Sequence, residues 1–295
     1  MKKRLIVSLL ILALIFAAAA PARCGEALTI AVSFLPIGIF AENIAAGTGA
    51  DIVLLAPNAV GCLHDYQLLP GDLTRLKDAD ILFINGAGME IFLKDISDVY
   101  PDLRIVDLSE GIDLIPAADD DDGEYNSHIW LSPKNAAVMV RTMAAALKEL
   151  DAPRAEAYGT NADNYIRTLT ELDGTLSERC AKLNKRDIVT FHEAFPYFAR
   201  DYGLNVLAVI TVEPDEGISP RRLAELADVV RQNGCPPLFI EAQYSSEPAE
   251  ALSRETGAKI YELLTVTSGA PEADAYEKAL LKNMDTLEEA LGTAP

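Results

Sequence analysis

Basic residues are scarce in this chain: 25 Lys and Arg stand against 45 Asp and Glu, a formal net charge of −20. That imbalance excludes a nucleic-acid binder, which needs a basic surface to meet phosphate. Cysteine is scarce too, with four residues at 24, 62, 180 and 235 and no C-x-x-C spacing. A zinc ribbon and a dithiol redox pair are therefore excluded. No H-E-x-x-H occurs, which removes that helical metalloprotease signature. After the first 22 residues, no apolar run approaches the length of a membrane span. Histidine is scarce as well: three residues in 295, at 64, 128 and 192.

The chain begins MKKRLIVSLLILALIFAAAAPAR. Lys2, Lys3 and Arg4 form a charged start, Leu5 to Phe16 an apolar core, and Ala20-Pro21-Ala22 a small-residue cleavage site. This reads as a secretory signal peptide over residues 1–22, giving an expected periplasmic or otherwise extracytoplasmic protein. Removing it deepens the acidic excess, which suits either a cationic ligand or simple solubility. An oxidising compartment permits disulfides. Cys180 and Cys235, each shortly ahead of an expected strand, form one pairing the sequence allows; Cys24 and Cys62 remain open, as does lipidation at Cys24.

From residue 28, short Ile-, Val- and Leu-rich runs alternate with amphipathic stretches, the pattern of parallel α/β structure. Strands are expected at 28–34, 51–57, 81–86 and 103–109, then at 187–191, 205–210, 237–242 and 259–264. Between these sets lie 132–184, helical in composition and opened by Ser132-Pro133 as an N-cap and first-turn proline. A break at Asp151 to Pro153 precedes a helix of about 30 residues, roughly 45 Å long. The expected fold is two lobes, each a parallel four-stranded sheet flanked by helices, joined by one long rigid helix. The corresponding divisions are an N-terminal lobe at 23–134, a helical linker at 135–184 and a C-terminal lobe at 185–295. Ala117 to Ser127 carries too much like charge to pack and is expected to be a surface loop.

Each histidine follows an expected strand: His64 the second and His128 the fourth of the first set, His192 the first of the second set. Ligands bind beyond the carboxyl ends of strands in open parallel sheets. Two lobes facing across a cleft would bring the three imidazoles together, and neutral imidazole is a good ligand for Zn²⁺. The aromatics Phe195, Tyr197, Phe198 and Tyr202 are expected to pack the following helix on its sheet.

Three stretches then carry a resemblance: GCLHDYQLLPGDLTRLKDADILFINGAGMEIFL, NSHIWLSPKNA and FHEAFPYFARDYGL. In this order they resemble the ligand motifs of the metal-specific substrate-binding proteins of bacterial ABC uptake systems for zinc and manganese, the cluster A-I family. ISPRRLAELADVVRQNG and FIEAQYSSEPAEALSRETGAKI are similar as well, so the likeness runs from about Leu28 to Leu291. It implies that His64, His128 and His192 are metal ligands. It also implies a monomeric carrier of zinc, with Mn²⁺ second, that hands its ion to a membrane permease and catalyses nothing.

Two departures stand out. The family carries a carboxylate near the end of its last strand, whereas this chain reads ELLTVTSG with Leu264 at the matching position. Glu262, Glu241, Asp65 or water are the alternatives for the fourth ligand. Zinc-type members often have a histidine-rich loop before the second motif, and here the loop reads DDDDGE. The rival reading from another class is a three-histidine zinc hydrolase with a metal-activated water and Glu193 as base.

Overall fold

The computed structural model describes residues 27–56, 63, 66–117, 124–210 and 219–293. The expected signal peptide, Cys24, Cys62, His64, Asp65 and most of the acidic loop lie outside the described residues.

The first lobe holds β1 (Thr29–Val32), α1 (Leu35–Ala45), β2 (Asp51–Leu54), α2 (Pro70–Arg75), β3 (Ile81–Ile84), α3 (Leu93–Val99) and β4 (Arg104–Asp107). Its four strands pair in parallel in the order β2-β1-β3-β4. Central β3 is buried along its whole length, which is why it reads as an unbroken apolar run and not as an alternation. Helices α4 (Pro133–Leu150) and α5 (Ala155–Ala181) follow. The second lobe holds β5 (Asp187–Thr190), α6 (Pro196–Tyr202), β6 (Asn205–Val209), α7 (Pro220–Gln232), β7 (Leu238–Ile240), α8 (Glu247–Thr256), β8 (Ile260–Glu262) and α9 (Ala275–Leu291). Its parallel sheet repeats the first in the order β6-β5-β7-β8. The two lobes and the connecting helix are thus as the apolar runs implied, with each strand shorter at its ends than expected.

At 27 residues, α5 is about 40 Å long. Tyr158, Ala162, Tyr165, Leu169, Leu172, Leu176 and Cys180 form its buried stripe at three- and four-residue spacing. Helix α1 of the first lobe and α9 of the second both pack on α5. A single apolar cluster consequently runs from Ile30 and Phe40 through Leu169 to Leu280 and Leu291.

Polar contacts staple the same boundary. The Trp130 indole N–H donates to the Thr265 carbonyl at 2.8 Å, and the Tyr276 hydroxyl to the Trp130 carbonyl at 2.6 Å. Tyr197 donates to the Asn126 carbonyl at 2.7 Å while its oxygen accepts the Ile115 N–H at 3.1 Å. Ser132 caps α4 by accepting from the Asn135 N–H, and its own hydroxyl donates to Asp201 on α6. A shared core with these bonds across it is a poor hinge. Scattering profiles of metal-free and metal-loaded protein are expected to superimpose within the change of a loop; a marked compaction on loading would contradict the rigid joint.

The Cys180–Cys235 pairing is not present: both thiols are free. Cys180 belongs to the apolar stripe of α5, its Sγ 3.4 Å from Met284 Sδ, and burial pushes its thiol up to about 11. Cys235 is exposed in the turn after α7, with its Sγ 3.4 Å from the Thr256 carbonyl oxygen. One side chain faces the core and the other solvent.

Candidate metal site

His128 and His192 meet between the lobes, their ring centroids 4.7 Å apart and their planes at 82°. His128 precedes the short helical turn Ile129–Leu131 that leads into α4, and is buried at 3% exposure. His192 stands just past the end of β5. His192 thus owes its placement to a strand end, as the sequence pattern implied, whereas His128 lies 21 residues past the end of β4, on the segment that leads into α4. His64 lies outside the described residues, but its neighbour Leu63 is buried and lines the pocket around the other two imidazoles.

Each ring is held by its Nδ1. His192 Nδ1 lies 2.8 Å from Glu241 Oε1 at the end of β7. A carboxylate that accepts from Nδ1–H fixes the tautomer in which Nε2 carries the lone pair, the arrangement that orients an imidazole for a metal. His128 Nδ1 lies 3.3 Å from Asn126 Oδ1. That amide is oriented by its other bonds: Oδ1 accepts the His128 N–H at 3.0 Å and Nδ2 donates to the Glu193 carbonyl at 2.8 Å. The Nδ2 bond also ties the His128 loop to the backbone beside His192.

The loops that present these side chains are built by residues of the same motifs. Asn85 Nδ2 donates to the Ser127 carbonyl at 2.9 Å, one residue before His128. Gly86 follows with φ of 78°, and a Cβ there would meet Asp107 Oδ1 at 1.8 Å, so only glycine fits. Tyr66, two residues past His64, donates its hydroxyl to Asp72, whose carboxylate also accepts the Leu69 N–H at 2.9 Å. Burial and that bond push the Tyr66 hydroxyl up to about 12.

The Glu90 carboxylate closes the β3 end by accepting from the Asn85 and Gly86 N–H groups at 2.7 and 3.1 Å. Burial nonetheless lifts its carboxyl from 4.5 to about 7. A raised carboxyl favours the folded state most when protonated, so this stabilisation is full below about pH 4.5 and is lost as pH rises to about 7. The stability of Glu90→Gln relative to the parent is expected to improve across that window. Urea unfolding midpoints at several pH values check it, and a constant difference would refute it.

Of the residues considered as a fourth ligand, Glu241 lines the pocket and is 4% exposed, whereas Glu262 is exposed on β8. Glu241 is already engaged, by His192 through Oε1 and by Gln243 Nε2 at 2.6 Å through Oε2. Its geometry is that of a group orienting a metal-binding imidazole. Leu264 does not face the histidines. Its N–H and carbonyl are held by the Asn283 side chain at 2.7 and 2.8 Å, and its side chain lines a neighbouring cavity. The following turn places Thr265 and Thr267 on the imidazole pocket instead. Val266 between them has φ of 63°, a conformation that costs a β-branched residue.

The pocket at the imidazoles holds about 10 Å³, room for an ion or a water and nothing larger. Among the described residues no three His, Cys, Asp or Glu side chains gather as a complete metal-holding group. Gln243, Tyr244, Trp130 and the two threonines were not singled out by sequence reasoning. Only Gln243 carried a signal, lying two residues past Glu241 on the same strand end. The hydrolase candidate base Glu193 is not among the pocket-lining residues.

The chain matches the family described as "Zinc-uptake complex component A periplasmic" across residues 30–290. It is 29% identical over 278 residues to the iron-binding protein YfeA of Yersinia pestis, covering 92% of this chain and 89% of that one. It is equally 29% identical over 284 residues to the high-affinity zinc uptake system protein ZnuA of Bacillus subtilis, covering 90% and 88%. Among solved structures, a zinc-bound ZnuA deletion mutant superimposes with a TM-score of 0.80 at 28% identity, covering 92% of this chain and all of the other.

Proposed function

Because the chain belongs to the zinc-uptake complex component A family, we propose that it captures zinc between its lobes on His64, His128 and His192 and delivers it to an ABC permease. The observation that carries this reading is the His128–His192 pair, whose rings meet at 4.7 Å between the lobes with the Nδ1 of each beside a side-chain oxygen. Three imidazoles favour zinc over manganese, which prefers oxygen-rich sites. The relatives differ among themselves, binding iron in one case and zinc in another by their names, so the imidazoles of this chain are the argument for zinc.

The protein works as a monomeric carrier and not as a hydrolase. The relatives are transporter components, and Glu193, the base a hydrolase would need, is not among the residues lining the pocket. Export by the 1–22 signal, with cleavage after Ala22, puts the mature chain outside the cytoplasm, where the permease receives its cargo. Lobes at 23–134 and 185–295 around the 135–184 linker complete the organisation.

Glu241→Ala removes the acceptor that orients His192 and is expected to weaken zinc binding about 10- to 100-fold. Glu241→Gln, which keeps an oxygen for Nδ1–H, is expected to lose less. Competition titrations with a zinc chelator measure both, and equal affinity in Glu241→Ala and the parent would refute the orienting role. Zinc against manganese competition on the parent tests the proposal itself: preference for manganese would sink it.

A further inference from the structure

A second cavity of about 340 Å³ adjoins the imidazole pocket. Gln243 and Thr265 line both spaces, and Gln243 Nε2 donates to Thr265 Oγ1 at 2.9 Å. The cavity sits at the lobe boundary, with Leu35 of α1 on one wall and Leu264, Val266, Ala275 and Ala279 on others. Its volume falls within the range of small-molecule sites, about 300–1,000 Å³. The ion-sized pocket next door does not.

Its chemistry is specific. The small and apolar side chains leave space without offering charge, and the charge on the lining comes from Lys278 and Glu272, paired at 3.3 Å. Asp274 also holds Lys278, at 2.7 Å, so the rim is not a bare cation that would collect any anion. One ammonium beside one carboxylate suits a zwitterion. The inner end, at Gln243 and Thr265, offers an amide and a hydroxyl directly beside the metal pocket. The turn that builds this end keeps Val266 at φ of 63°, and such costly backbone is retained where the surroundings demand it.

Three imidazoles fill three positions of a four-coordinate zinc ion and leave one for an outside donor. We propose that the cavity seats a free α-amino acid with an imidazole side chain, of the histidine kind, which gives zinc a single further ligand, so that the cargo is zinc together with this amino acid and not the bare ion. The ligand's ammonium and carboxylate are matched at the Glu272–Lys278 rim, and its remaining donor reaches past Gln243 and Thr265 to the metal. This rests on the reading that the imidazoles hold zinc.

Equilibrium dialysis of the full mature chain against radiolabelled L-histidine, with and without zinc, tests it. Zinc-loaded protein is expected to retain about one histidine per zinc, and metal-free protein at least about tenfold less. Ala279→Phe, which fills the cavity, is expected to keep zinc and lose the amino acid, and Lys278→Met to keep zinc while holding histidine about tenfold more weakly. Zinc retained without histidine in the parent overturns this inference and leaves zinc capture standing, whereas a parent that retains no zinc overturns the reading beneath it. Histidine retained equally with and without zinc, or retained by Ala279→Phe as by the parent, also overturns the inference. So does loss of zinc from both variants, since the cavity would then be part of the metal site itself.

Discussion

His192→Ala is expected to weaken zinc binding by about a hundredfold or more. Zinc on a full set of four protein ligands gains about 10–16 kcal/mol in apparent binding free energy, so one ligand is worth about 3 kcal/mol or more, and every 1.4 kcal/mol is tenfold. The loss is deepened because His192 is the ligand the second lobe contributes just past β5, and it is the one locked by Glu241 at 2.8 Å. With the imidazole gone, Glu241 keeps only its bond from Gln243. Glu193→Ala is the control, since that carboxylate is not among the pocket-lining residues. A chelator competition series is expected to separate the two variants by the full hundredfold. If His192→Ala binds as the parent does, or if Glu193→Ala falls with it, the imidazole account fails.

Zinc affinity is also expected to fall by at least about a hundredfold between about pH 7.5 and 5.5. A metal-bound imidazole must be unprotonated at the binding nitrogen, so protons and zinc compete for the same lone pair. The affinity is therefore full on the alkaline side and lost as pH falls. Each protonated ligand contributes up to tenfold per pH unit, so several imidazoles acting together give a slope steeper than one proton. Carboxylates would hold the metal through this range, because their ordinary values lie lower. Titrations corrected for protonation of the competing chelator would show a flat profile if oxygen ligands dominated.

The parallel sheets were legible because buried strands in such sheets cannot alternate: Ile81–Ile84 is buried at every position and reads ILFI. His192 was legible because it stands just past a strand end, where the fold gathers ligands; His128 was legible from its motif, since it lies 21 residues past β4 and directly before the turn into α4. What escaped was direction. Leu264 occupies the strand-end position by counting, yet the chain leaves β8 at Glu262, is pinned by Asn283, and turns through Val266 in a conformation no β-branched residue signals. Thr265 and Thr267 face the pocket as a result. The Cys180–Cys235 pairing that the sequence left open is absent for the same reason, since distance along the chain says nothing of which way a side chain points. A signal was present there: Leu169, Leu172, Leu176 and Cys180 share one helical stripe, which marks Cys180 as core. Glu241 was weighed as a ligand because Leu264 stands where the family carries a carboxylate, and only the 2.8 Å approach to Nδ1 separates orienting the ring from binding the ion.

The most direct test of imidazole-held zinc between the lobes is zinc-edge X-ray absorption on the loaded, full mature chain. The account predicts a nitrogen and oxygen shell near about 2.0–2.1 Å with the multiple scattering of about three imidazoles, reduced by one in His192→Ala. A shell of oxygen ligands without imidazole scattering, or a spectrum unchanged in His192→Ala, would contradict it.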